Sequence, residues 1–147
     1  MTTPNLFTRV EESLQKQTLM TTLGVRLAHV ALGEVDLELP SAPHILQQHG
    51  FVHAGAITAV ADSACGYACL THMDPDDAVL SVEFKINLLA PAVGERFCAQ
   101  ARTLRVGRTI GVAAAQVHAM NPGAEPVLIA VMQATMMRVP PRNGQRG

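Results

Sequence analysis

The sequence has no tryptophan, one tyrosine and four phenylalanines in 147 residues. So few rings offer no stacking platform for bases. With 11 Lys plus Arg against 12 Asp plus Glu, there is no basic surplus to hold a phosphate backbone. These two shortages argue against a nucleic-acid-binding function. Cysteine is sparse and odd in number: Cys65, Cys69 and Cys98. Cys65 and Cys69 stand one helical turn apart, which is not the spacing of a redox CxxC. They read as small reduced core thiols in a cytoplasm. No apolar run is both long and greasy enough to span a bilayer. The stretch 54–71 comes nearest, but Gly, Thr, Ser and a central Asp interrupt it. The N-terminus MTTPNLFTRVEESLQKQ carries acids and no apolar h-region, so it does not read as a signal peptide.

What is present is hydrophobic periodicity over a length that fits one domain. Leu6, Val10 and Leu14 repeat every four residues, which predicts a helix over 5–20. Val35, Leu37 and Leu39 alternate with Glu34, Asp36 and Glu38, the pattern of a half-buried strand; a shorter strand is expected before it, near 24–30. SAPHILQQHG is a loop. From Ala54 to about His72 the chain is Ala-rich, free of proline and apolar nearly all round, and Asp74-Pro75 stops it. That predicts a long buried helix. Afterwards the period becomes two, with Val82, Phe84, Ile86 and Leu88 against Ser81, Glu83, Lys85 and Asn87. Further strands are expected near 95–105, 109–120 and 126–139, with a tight turn at Val106-Gly107-Arg108. The organisation is an N-terminal helical segment at 1–20, one domain at 21–139 and a flexible tail at 140–147. An antiparallel sheet curled around the central helix, an α+β fold, satisfies this order.

Asp62 is the anomaly, because an ionised carboxylate in an apolar interior costs several kcal/mol unless paired or solvated. Its helical neighbours at three- and four-residue spacing are Thr58, Ala59, Cys65 and Gly66, and none can pair with it. Asp62 is a buried group bonded to distant donors, a group on an exposed seam, or a cleft residue that does chemistry. Gln47, Gly50 and His53 precede the helix at spacings of three. A helix start presents unpaired N–H groups able to bind an oxyanion, and the small Ala54 and Gly55 let a carbonyl approach. Positions 54 and 62 lie roughly 12 Å apart along one helix, so they cannot serve the same carbonyl from one chain. Two antiparallel copies of the helix bring position 54 of one chain to position 62 of the other, which suggests a two-fold dimer with shared sites.

Gln47 to Tyr67, read as Q-x-x-G-x-x-H-A-G followed by AITAVAD, resembles the signature of hotdog-fold acyl-CoA thioesterases of the phenylacetate-pathway (PaaI-like) kind. LSVEFKINLLAP at 80–91 resembles the family's strand after the helix, and RVGRT at 105–109 its later hairpin turn. The resemblance covers roughly 20–139. It implies a hotdog fold, homodimers often paired into homotetramers, and metal-free, cofactor-free hydrolysis of acyl-CoA thioesters. It implies Asp62 as nucleophile or general base, the Ala54 N–H as the group that polarises the carbonyl, and Gln47 as the side-chain amide near the thioester. Ser81 corresponds to the residue that helps place water. The chain departs from His-Gly-Gly at Ala54, which keeps the N–H but adds a methyl in the thioester slot.

The remaining candidates have plainer readings beside the functional ones. His53 positions the turn through its ring nitrogens or takes part in acid–base work. His44, His49 and His53 lack helical pairing and an HExxH glutamate, so a metal site is not expected. Arg105 and Arg108 grip CoA phosphates or are exposed hairpin charges. Tyr67 reads as core, and the methionines Met132, Met136 and Met137 read as core or as lining of an acyl tunnel. The rival function is a non-catalytic acyl-CoA binder on the same fold, which has no need of Asp62. A hotdog dehydratase needs a catalytic His with an acid in a loop context that is not found here.

Overall fold

The computed structural model describes residues 5–142. Two short helices, α1 (Leu6–Lys16) and α2 (Thr18–Leu23), lead into the hairpin β1 (Arg26–Ala31) and β2 (Glu34–Pro40). A 3-10 turn at Pro43–Ile45 precedes the long helix α3 (Ala54–Leu70). Four strands follow: β3 (Ala78–Leu88), β4 (Arg96–Val106), β5 (Ile110–Met120) and β6 (Val127–Val139). All six strands form one antiparallel sheet in the order β1-β2-β4-β5-β6-β3. The sheet wraps α3, which packs on five of its strands. This is the hotdog arrangement that the resemblance implies.

Alanine sets how closely helix and sheet approach. Ala99, Ala101, Ala113, Ala115, Ala130 and Ala134 face the helix and are almost fully buried, as are Ala61, Ala64 and Ala68 on α3. Small residues on both surfaces leave little gap to fill, so the core needs few rings. Larger side chains such as Val35, Leu37, Leu39 and Phe97 fill the space at the sheet's other end.

Two features differ from the sequence expectation. The single helix expected over 5–20 is broken at Gln17, whose backbone is extended (φ −81, ψ 100). The reason is tertiary: the Gln17 side chain leaves the helix to donate to the buried Tyr67 hydroxyl at 2.6 Å. The second feature is a bulge in β3. Ser81 pairs with Met136 and Glu83 with Thr135, so Val82 is the extra residue. Simple alternation puts Ser81 on one face with Glu83 and Lys85. The bulge reverses the parity: Phe84, Ile86 and Leu88 lie opposite the buried Ala134, Met132 and Ala130, and Ser81 still turns inward toward α3. Of the tail expected over 140–147, residues 143–147 lie outside the described residues.

The close approach of α3 can be tested directly. Ala101 is fully buried on β4. Ala101→Leu should overpack the interface and cost about 1–3 kcal/mol. Urea denaturation measures it, and a stability equal to wild type would show slack in the packing.

Candidate active site

The start of α3 is built by His53 and Gln47. His53 is the N-cap, and its Nδ1 accepts the Gly55 N–H at 2.8 Å. That bond needs an unprotonated Nδ1, so the neutral ring carries its proton on Nε2. A Cβ on Gly55 would come within 2.9 Å of Nδ1, so Gly55 is small to make room for the cap. The His53 carbonyl accepts from Ala56 N at 2.9 Å and from Ile57 N at 3.3 Å. Both bonds polarise the peptide unit that carries the Ala54 N–H, which has no acceptor among the described residues. An N–H of this kind at a helix N-terminus is suited to an oxyanion.

Gln47 lies in a turn closed by Gly50 N to Gln47 O at 3.1 Å, with Gly50 at φ +87, a region that favours glycine. The Gln47 Oε1 accepts the backbone N–H groups of His49 and Phe51. Its acceptor is thereby occupied, and its NH2 group is left to donate. Both Gln47 and Ala54 open on a cleft of about 430 Å³. Val52 and Ile57 form one side, residues 88–92 the other, and Ile129 also lines it. No charged side chain lines this cleft. The far wall is pinned: Leu89 N and Ala90 N donate to Ile129 O at 2.8 and 3.3 Å, and Val52 N donates to Ala92 O at 3.1 Å.

Asp62 is half-buried on the same helix and does not line that cleft. It accepts from Ser81 Oγ at 2.7 Å, the contact that the β3 bulge makes possible. No cation lies within ion-pair distance of it among the described residues. One chain therefore brings Gln47, His53, Ala54 and Gly55 together, and Asp62 with Ser81, as two separate groups. Arg105 and Arg108 are exposed at the β4–β5 hairpin. That hairpin lies at the C-terminal end of α3, where a Cβ on Gly111 would meet Cys69 Sγ at 3.0 Å. Fifteen residues from Ala54 is about 22 Å of helix, so the arginines do not reach the cleft of their own chain.

Sequence reasoning missed Ile57, Ile129 and the wall at 88–92. The Ala-Pro-Ala run after β3 was the available signal for a fixed wall, whereas Ile129 enters through a register shift in β6 that leaves no mark in the pattern. Tyr67 is core, with its hydroxyl bonded to Gln17 and Ser13. His44 Nε2 bonds the Thr22 carbonyl at 3.0 Å rather than a shared metal position.

Residues 49–124 match the family described as the thioesterase superfamily. A solved thioesterase family protein from Silicibacter pomeroyi is 44% identical, with a TM-score of 0.89 over 93% of this chain and all of that one. The Escherichia coli PaaI protein from the phenylacetic acid degradation operon shares the fold: 18% identity, TM-score 0.79, 91% of this chain and 93% of that one. A protein of Saccharolobus solfataricus that bears an esterase name is 32% identical over 88 residues, 60% of this chain and 62% of that protein. The chain thus matches less than two thirds of that relative's length. A 1,4-dihydroxy-2-naphthoyl-CoA hydrolase of Listeria monocytogenes is 24% identical over 94 residues, 64% of this chain and 76% of that protein.

The thiols near α3 are poor nucleophiles. Burial pushes Cys65 from its ordinary 9.0 up to about 12, with Cys69 and Asp62 adding to the shift. Burial pushes Cys69 and Cys98 to about 11. A folded value above the unfolded one means the folded state holds its proton longer. The contribution to stability is full below pH 9.0 and is lost as pH rises through about 11 to 12. Denaturation of the wild type should show stability falling across that window, and Cys65→Ala should flatten the fall. An unchanged pH dependence in the variant would assign the loss to other groups.

Proposed function

This chain belongs to the thioesterase superfamily, and from that premise we propose that it hydrolyses the thioester of an acyl-CoA to free acid and CoA. One observation carries the reading. A polarised, unpartnered Ala54 N–H opens on an uncharged cleft, and an unpaired carboxylate sits two turns along the same helix face, bonded to a hydroxyl. The substrate carbonyl lies against the Ala54 N–H, with the Gln47 NH2 as a second donor. In the general-base route, Asp62 takes a proton from a water that Ser81 helps to place. The water oxygen bonds to the carbonyl carbon, and the Ala54 N–H holds the resulting oxyanion. Collapse breaks the C–S bond, and the CoA thiolate leaves with the proton. In the nucleophilic route the Asp62 oxygen bonds to the carbonyl carbon, the C–S bond breaks, and the CoA thiolate leaves and takes a proton from solvent; water then opens the mixed anhydride, releasing the free acid and returning the Asp62 carboxylate. His53 holds the helix start in shape through its Nδ1 and takes no proton there. No step calls for a metal or a cofactor.

The site needs two copies of the chain. Strand β3 leaves one edge of the sheet unpaired over 11 residues. Along it Leu80, Val82, Phe84 and Leu88 are 62%, 53%, 42% and 54% exposed. An apolar edge of that length is a template for pairing. A two-fold partner joined at β3 sets the two α3 helices antiparallel, so the partner's Asp62 serves this chain's cleft. The same rotation brings the partner's Arg105 and Arg108 toward the cleft mouth, where CoA phosphates lie. The assembly is then a homodimer, with pairing into a homotetramer as the next level, and α1, which docks on α3, belongs to the same unit. No described helix is long and apolar enough to cross a membrane, and unpaired buried thiols suit a reducing cytoplasm. A cleft lined without charge favours an uncharged aliphatic or aryl acyl group. A non-catalytic binder has no use for the Asp62–Ser81 pair.

Asp62→Asn should lower kcat by at least ~10²-fold at near wild-type stability. Mixing it with inactive Gln47→Ala should restore up to about a quarter of wild-type activity, because half the dimers then hold one intact site. Turnover by Asp62→Asn at the wild-type rate would make Asp62 structural, and a mixture as inactive as its parts would mean the sites are not shared. Arg108→Ala should raise KM for acyl-CoA and leave kcat, and hydrolysis of a short acyl thioester without the nucleotide, unchanged. Equal effects on both substrates would remove this turn from CoA recognition.

A further inference from the structure

The N-terminal helices have no part in the chemistry described so far, yet α1 is fastened to α3 along its length. Arg9 donates to the carbonyls of Leu70 (3.2 Å), Met73 (3.0 Å) and Asp74 (2.6 Å). One turn on, Ser13 bonds the Tyr67 hydroxyl at 3.1 Å. One more turn on, Gln17 Nε2 donates to that hydroxyl at 2.6 Å, and Gln17 Oε1 accepts from Ser63 Oγ at 3.4 Å. Positions 9, 13 and 17 thus meet 70–74, 67 and 63, so α1 runs antiparallel to α3. Val10 and Leu14 bury the apolar face of α1, which also packs on β1.

This fastening ends beside the candidate base. From Ala64 to Thr71 every residue of the α3 segment is buried. Before it, Ala54, Gly55, Thr58, Ala59, Asp62 and Ser63 form one exposed or half-buried face. Gln17 stands at the border and binds Ser63, the residue after Asp62. The chain turns at Gln17, and α2 is tied away from this face where the Thr22 carbonyl bonds His44.

We propose that Gln17 is a positioning residue for Asp62: its amide bridges the hydroxyls of Ser63 and Tyr67 and fixes the rotation of α3 where its enclosed half ends. The proposal rests on the reading of Asp62 as the reacting carboxylate. Tyr67 is 3% exposed, so its hydroxyl must find partners inside the protein, and Gln17 and Ser13 are those partners. The lever is short. A carboxylate sits about 6 Å from the helix axis, so a rotation of about ten degrees moves it by about 1 Å. Misplacements of that size cost up to about 10²-fold in rate. The Ser81 bond is a single contact to the carboxylate itself and leaves the rotation of the helix to be fixed elsewhere.

Three variants test it, read by kinetics and by the 13C resonance of the Asp62 carboxyl followed through pH. Gln17→Leu removes both Gln17 bonds, and Tyr67→Phe removes the hydroxyl that Gln17 and Ser13 both bond. Gln17→Glu keeps an acceptor for both hydroxyls but adds a negative charge near Asp62. The groups facing Asp62 are Ser81 from β3 and Cys65 on its own helix, and among the described residues no cation lies within ion-pair distance of Asp62. Gln17→Leu should lower kcat about tenfold with KM within about twofold, and Tyr67→Phe should lower it less. The Asp62 resonance should move in both, and in Gln17→Glu its titration and the acidic limb of kcat should shift to higher pH. A wild-type Asp62 titration curve in all three would overturn the proposal, as would wild-type kcat in Gln17→Leu. The resonance reads positioning without turnover. A wild type that hydrolyses no acyl-CoA would therefore sink the thioesterase reading while the titration still judges Gln17.

Discussion

Everything in this molecule depends on how closely α3 lies on the sheet. Alanine on both surfaces brings the helix down to a contact that larger side chains would hold apart. Burial then follows on nearly every side of its C-terminal half. Such a helix has almost no place for a charge. One carboxylate is accommodated, at the turn where enclosure gives way to an open face, with one hydroxyl as its partner. The N-terminus of the same helix must end in unpaired N–H groups, and His53 takes that of Gly55 and leaves that of Ala54 available. The two halves of the proposed chemistry are thus properties of one helix, separated by its own rise.

That separation makes association a requirement of the proposed chemistry. A helix cannot fold back on itself to bring two positions eight residues apart onto one carbonyl. A second antiparallel copy can, and the open edge of β3 provides the surface on which it would register. The positions of Arg105 and Arg108 follow the same logic. They are remote from the cleft of their own chain, and only the proposed two-fold partner would carry them toward one.

Much of this was legible in the residues. The alternation in Glu34–Pro40 gave β2, and the proline-free apolar run from Ala54 gave α3, because burial on one face or all round writes itself into the period. Asp62 stood out for the same reason. Three things were not legible. The break at Gln17 interrupts a sequence whose own periodicity continues, since the pull comes from a tyrosine fifty residues away. The cleft wall at 88–92 and Ile129 is held by backbone bonds, which no side-chain pattern records. The inward turn of Ser81 depends on an extra residue in β3, and the alternation read from the sequence assigns Ser81 to the other face.

The extra residue at Val82 divides β3 into two registers that obey opposite rules. In the first half odd positions face the helix, and in the second half even positions do. Chain length at this point therefore acts as a phase setting. Losing one residue between Ser81 and Glu83 would leave every side chain chemically intact and exchange the inside and outside of half a strand. The bond from the Ser81 hydroxyl to Asp62 is thus protected by a count of residues, and substitution scanning alone would not reveal it.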